Sequence, residues 1–216
     1  MRREALVFGI LLALVVSPVV VEAKKSDPVL FVHGFTGSAS NWDVMIARLI
    51  ADGWSSSKLF AYTFSNPYDA SDGANVRNAY EVKSWVDNIL KRTGASKVNI
   101  VAHSMGGLST RYYIKFLGGV NVVDHYIALG TPQKGTILAF YGDMQPGSPF
   151  LLTLNSGDET PGYVKYTTIC SPIDELVQPL SYCQLNGADN RIVYSGHITL
   201  LTSTSAYNIV KNKLAS

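Results

Sequence analysis

The stretch VNIVAHSMGG, Val98 to Gly107, sets a β-branched apolar run against a lone serine crowded by small residues. Val98 to Ala102 has the make-up of a strand buried on both faces, and a helix starting at Met105 leaves only His103 and Ser104 to reverse the chain. So tight a strand-to-helix turn predicts strained backbone at Ser104. Ala102 and Gly106 are small enough for the flanking backbones to pass closely, which lifts the hydroxyl clear of the sheet. The helix that follows aims its free N–H groups and positive dipole end at whatever the serine attacks. A-x-S-x-G therefore reads as a nucleophile turn, one methyl group away from G-x-S-x-G.

The same rhythm extends to either side. Val29-Leu30-Phe31-Val32 is another unbroken apolar run, followed by the glycine-rich loop His33-Gly34-Phe35-Thr36-Gly37-Ser38. Asn41 is suited to cap a helix in which Met45, Ile46, Leu49 and Ile50 recur at helical spacing until Gly53. Further strands are expected at Leu59 to Phe64, Val122 to Leu129, Val164 to Ile169 and Arg191 to Tyr194. Helices are expected at Val76 to Arg92, Met105 to Leu117 and Leu200 to Leu214. This alternation predicts an α/β fold, a mostly parallel central sheet with helices on both faces. Gly130 to Gly162, with Pro132, Pro146, Pro149 and Pro161, breaks the rhythm and predicts a long irregular segment. Its Ile137, Leu138, Phe140, Phe150 and Leu151 would line a pocket or fill the core beneath the loop.

A chain of 216 residues with 47% hydrophobic side chains can bury one sizeable core. Arg2 and Arg3, the apolar stretch Leu6 to Val16, and Val21-Glu22-Ala23 have the layout of a secretory signal cleaved after Ala23. The apolar part falls short of the roughly 20 residues a spanning helix needs, and Pro18 interrupts it. Residues 1–23 are thus expected to be a signal peptide and 24–216 a single domain. The formal charge of +2, with basic residues scattered, gives no reason to invoke a nucleic-acid partner. Export makes the two cysteines informative, because in an oxidising compartment Cys170 and Cys183 can close into a disulfide.

Serine is a poor nucleophile at neutral pH without a base. Of the four histidines, His33 is suited to brace its glycine-rich loop, and His103 should point to the other side of the strand from the serine. His125 lies within an apolar run, as structural histidines do. His197 follows the last expected strand, at the C-terminal edge where open α/β sheets place their sites. It is the expected base. The chain order serine, acid, histidine puts the carboxylate between residues 105 and 196. Asp174, in the turn CSPIDELVQP after the strand Val164 to Ile169, is the expected acid, with Glu175 its nearest rival. Asp124 and Asp189 lie at the starting edges of strands, the wrong edge, and Asp143, Asp158 and Glu159 belong to the irregular segment. Two backbone donors for an oxyanion should come from Met105, next after the serine, and Phe35, in the loop after the first strand. No Cys/His cluster at ligand spacing suggests a metal, and this chemistry requires no cofactor.

Five blocks in order, VLFVHGFTGSASNW, VAHSMGG, LGTPQKGT, GDETPGYVKYTTICSPIDELVQP and SGHITLL, resemble the small secreted bacterial lipases called class 2 lipases. The resemblance spans nearly the whole chain after the signal. It implies a compact α/β-hydrolase fold without a large cap domain, hydrolysis of carboxylic esters of acyl lipids, and a triad on Ser104, Asp174 and His197. It also implies oxyanion donors at Phe35 and Met105. The protein is expected to be secreted and extracellular and to act as a monomer. Exposed apolar residues around such a site would give weak association with a lipid surface. The same triad also serves short-chain carboxylesterases, polyester depolymerases and acyltransferases. A catalytically dead hydrolase fold serving as a secreted binding protein usually lacks a triad member, and none is missing here.

Overall fold

The computed structural model describes residues 27–139 and 142–216. The expected signal peptide and Phe140 lie outside the described residues. Six strands form one sheet: β1 (Val29–Val32), β2 (Leu59–Tyr62), β3 (Val98–His103), β4 (Val123–Leu129), β5 (Lys165–Cys170) and β6 (Asp189–Ile192). Their order is β2-β1-β3-β4-β5-β6, and every pairing is parallel. Parallel neighbours need crossovers, which the helices α1 (Asp43–Ala51), α2 (Ala74–Thr93), α3 (Met105–Phe116) and α4 (Pro149–Leu154) help to supply, while α5 (Thr204–Leu214) follows the last strand.

Alternation along the central strands divides the core into two layers. Leu30, Val32, Ile100, Ala102 and Tyr126 face Val82, Val86 and Ile89 of α2 and Tyr113 and Ile114 of α3. Val29, Phe31, Val101, Ile127 and Leu129 face Met45 and Leu49 of α1 and Tyr207, Val210 and Leu214 of α5. A strand covered on both sides favours apolar residues at every position, and β1, an unbroken apolar run, is fully buried.

The elements depart from expectation where polar side chains take over backbone hydrogen bonding. β2 stops at Tyr62, two residues early, because the Phe64 N–H donates to His33 Nε2 at 3.0 Å instead of extending the ladder. The last strand is displaced towards its polar start: β6 begins at Asp189 and is exposed over Asn190 to Ile192, as suits a sheet edge. The closing helix is broken in two. Thr199–Leu201 form a 3-10 turn, and Ser203 then caps α5, its Oγ accepting from the Ala206 N–H at 3.3 Å.

The expected irregular segment contains α4, whose start is set by Ser148 at the N-cap and Pro149 in the first turn. Phe150, Leu151 and Leu154 pack on Leu108 of α3, so they fill a small core of their own and do not line a pocket. Leu138 does line the cleft described below, while Ile137 is largely exposed. Arg111 of α3 is buried beneath this segment and donates to Gln133 Oε1 at 3.0 Å and Asn155 Oδ1 at 2.9 Å. The buried carboxylate of Asp143 accepts from the N–H groups of Gly73 at 2.9 Å and Asn75 at 2.8 Å, at the start of α2. A loop with so many fixed points holds a shape although it has little regular structure.

Candidate active site

Ser104 occupies the turn between β3 and α3 with φ 53° and ψ −133°, a backbone region that costs a non-glycine residue free energy. Hydrogen bonds on both sides hold it there. Its N–H donates to Leu129 O at 2.9 Å, and its carbonyl accepts from the Gly107 N–H at 3.0 Å. The small residue two places on has a clear cause: a Cβ on Gly106 would lie 2.2 Å from the carbonyl oxygen of His33, at the end of β1.

His197 reaches the serine from the loop after β6. Its Nε2 lies 2.9 Å from Ser104 Oγ, and its Nδ1 lies 2.8 Å from Asp174 Oδ2. The network assigns the tautomer, with Nδ1–H donating to the carboxylate and Nε2 accepting the serine proton. Asp174 sits in the turn after β5, where its second oxygen accepts from the N–H groups of Leu176 at 2.8 Å and Val177 at 2.9 Å. Burial disfavours its charged form, but the His197 hydrogen bond and these backbone donors prevail and hold the carboxyl below its ordinary range. A disulfide joins Cys170, the last residue of β5, to Cys183, and so brackets the acid turn.

Met105 heads α3, so its N–H has no acceptor within the helix. Phe35 lies in the loop after β1, and its neighbour Gly34 packs so closely that a Cβ there would sit 2.7 Å from Ser104 Cβ. Neither N–H donates to another backbone group of the described residues. Ser104 and His197 open onto a cleft of about 320 Å³ whose walls include Phe35, Leu138, Ala139, Met144, Leu176 and Ile198. This arrangement can bring an apolar chain to a hydroxyl that already has a proton acceptor.

The other histidines divide as follows. His33 braces its loop: Nδ1 lies 2.7 Å from Gly34 O while Nε2 accepts from the Phe64 N–H, and burial pushes its pKa down. His125 remains near the start of β4, close to Asp124 and Lys165. His103 differs from expectation, because its ring lies 4.6 Å from that of His197 and its Nε2 lies 3.0 Å from His197 O. The loop carrying His197 folds over the face towards which His103 points, so pointing to the other side of the strand from the serine does not mean facing away from the site. Burial, then the adjacent His197, push the His103 imidazole down to about 3, which leaves it neutral.

Among the acids, Asp189 pairs with Arg191 and Lys213 and Asp143 caps α2, which removes both from the site. Glu175 has a part that sequence reasoning missed. It does not reach the imidazole; its Oε2 accepts from the backbone N–H of His197 at 3.0 Å. Its place directly after the expected acid was the one available signal.

Comparison with known proteins agrees with this geometry. Residues 26–148 match the sequence model of the family Lipase (class 2), a stretch that includes Phe35, Ser104 and Met105. The chain is 30% identical over 118 residues to a triacylglycerol lipase of Pseudarthrobacter phenanthrenivorans, a match covering 52% of this chain and 35% of that one. The chain thus spans about a third of that curated relative. In fold it is similar to lipase B of Aspergillus fumigatus, with TM-score 0.74 and 21% identity over 88% of this chain and 53% of that one. It is also similar to a mature Bacillus licheniformis lipase, with TM-score 0.71 and 18% identity over 92% of this chain and 96% of that one. The α/β-hydrolase architecture is therefore shared along almost the whole of that enzyme, and, with more than half of its residues matched by the family model, the chain belongs to the class 2 lipases.

Proposed function

We propose that this chain is a secreted serine hydrolase that cleaves the carboxylic esters of acyl lipids. The observation that carries the reading is the unbroken line of hydrogen bonds from Ser104 through His197 to Asp174 at one end of an apolar cleft. Family membership and the triacylglycerol lipase relative support the choice of substrate.

In the first half-reaction Ser104 Oγ attacks the ester carbonyl carbon while His197 Nε2 takes its proton. The carbonyl oxygen becomes an oxyanion and accepts hydrogen bonds from the Phe35 and Met105 N–H groups. Asp174 stabilises the imidazolium and keeps the ring in register. His197 then gives its proton to the leaving alkoxide as the ester C–O bond breaks, which leaves an acyl group on Ser104. Water, deprotonated by the same histidine, attacks the acyl-enzyme and releases the carboxylic acid. All three side chains come from one chain, so a single copy carries the whole triad. Export through residues 1–23 is supported by the Cys170–Cys183 disulfide, since such bridges persist in oxidising compartments.

Ser104→Ala should lower hydrolysis of p-nitrophenyl esters by about four orders of magnitude or more, and a fluorophosphonate probe should label the native protein at Ser104 alone. Near-normal turnover in Ser104→Ala would remove the serine mechanism. Rates across esters from acetate to palmitate would separate lipase from short-chain esterase.

A further inference from the structure

His197 belongs to the stretch from Val193 to Ile198, which is neither strand nor helix, so no regular ladder fixes its backbone. We infer that Glu175 and His103 are positioning residues that clamp the two sides of the His197 backbone, the first at its N–H and the second at its carbonyl. The inference rests on the reading of His197 as the base.

The geometry is specific. Glu175 Oε2 accepts from the His197 N–H at 3.0 Å, and His103 Nε2–H donates to the His197 carbonyl at 3.0 Å. Glu175 directly follows Asp174, and His103 directly precedes Ser104. Each partner of His197 therefore brings a chain neighbour that grips the same residue. The triad is joined once through side chains and again through the backbone of its middle member. Donor and acceptor needs are met without a proton moving: a neutral imidazole supplies one N–H, and a carboxylate supplies a lone pair. Glu175 lies at the surface, with its Oε2 turned onto the loop that carries His197. A side-chain hydrogen bond at Nδ1 orients a ring but leaves the Cα free to drift, and a drift of an ångström at a catalytic base is enough to lower turnover about a hundredfold.

The experiment compares Glu175→Ala, Glu175→Gln, His197→Ala and the double variant Glu175→Ala/His197→Ala on p-nitrophenyl butyrate, with wild type and Ser104→Ala alongside. Glu175→Ala should lower kcat by about tenfold or more with little change in KM, because a displaced base affects chemistry more than binding. Glu175→Gln, which keeps an acceptor oxygen, should recover most of the loss. In the His197→Ala background, Glu175→Ala should have no further effect on the residual rate, since a residue that acts through another has nothing left to act on. A kcat within about twofold of wild type in Glu175→Ala, or a loss that persists undiminished without His197, would overturn the clamp. A readout independent of turnover is the downfield proton resonance of His197 Nδ1–H, identified by its absence from His197→Ala. It should broaden or vanish in Glu175→Ala and return in Glu175→Gln, and an unchanged resonance in Glu175→Ala would also overturn the clamp. Retained activity in Ser104→Ala would instead refute the mechanism, while the resonance continued to test Glu175.

Discussion

Gly130 passes directly beneath Asp174: a Cβ built on that glycine would lie 3.0 Å from the carboxylate Oδ2 and 3.2 Å from Nδ1 of His197. Gly130 follows the last residue of β4 and has φ 53°, a conformation that an L side chain adopts only with strain.

Gly130→Ala should therefore disturb catalysis more than folding. The backbone penalty is about 1–2 kcal/mol, while the added methyl presses on the acid–base pair. The expected outcome is a fall of at least about tenfold in kcat on a p-nitrophenyl ester, accompanied by a modest fall in melting temperature. Full activity in a well-folded Gly130→Ala protein would contradict the close approach.

The crosslink between Cys170 and Cys183 closes a loop with a sequence separation of 13 around Asp174. Replacing both cysteines with alanine should cost about 3 kcal/mol through the greater freedom of the unfolded chain. For a domain of this size that shift corresponds to roughly 6–12 °C in the melting point. Because the Leu176 and Val177 N–H groups hold the carboxylate directly, turnover well below the transition should change far less than stability. A melting curve unaffected by the substitution would count against a stabilising bridge.

Acidification should destabilise the fold through its buried imidazoles. In the folded chain His103 stays neutral down to about 3, whereas in the unfolded chain it protonates near its ordinary 6.5. Between those values the unfolded state holds more protons, so stability falls as the pH falls, by up to about 1.4 kcal/mol per pH unit for this one group. His33, shifted in the same direction by burial, adds to the slope. Asp174 acts at the lower end, where its contribution is present above the ordinary 3.8 and is lost as pH falls through its depressed folded value. Denaturant titrations from pH 7 to 4 should therefore show a shallower dependence in His103→Gln than in wild type. Equal slopes would show that His103 is not held neutral.

Substrate length should respond to Ala139, a small residue in the cleft wall beside Leu138. Ala139→Phe should lower kcat/KM for long acyl esters by about tenfold or more and leave acetate esters nearly unaffected, since a steric block of this kind discriminates by about 1–3 kcal/mol. A uniform loss over all chain lengths would place the acyl chain elsewhere.

Much of this architecture was legible in the sequence because buried parallel strands leave little choice of residue. β1 is a continuous apolar run, β3 and β4 are largely apolar and β5 is rich in β-branched residues, and Ser104 and Asp174 stand in the turns that follow β3 and β5, so both elements and polar positions could be located. The edge was harder to read. β6 is exposed and begins with Asp189, Asn190 and Arg191, which carry no hydrophobic signal. The helix at Pro149–Leu154 was hidden by the glycines and prolines around it, although Ser148-Pro149 is a start signal at close range. His103 and Glu175 were not legible because their partner is backbone. A side chain that binds a main-chain group 94 or 22 residues away leaves no spacing pattern to find.

The crossing order of the strands also has a consequence for biosynthesis. Ser104 lies beyond β3, Asp174 beyond β5, and His197 beyond β6 at the rim of the sheet. A ribosome extruding the chain from its N terminus delivers Ser104 first, Asp174 much later and His197 only after the final strand. On the proposed mechanism, a nascent chain carries its serine well before it carries the two partners that would activate it.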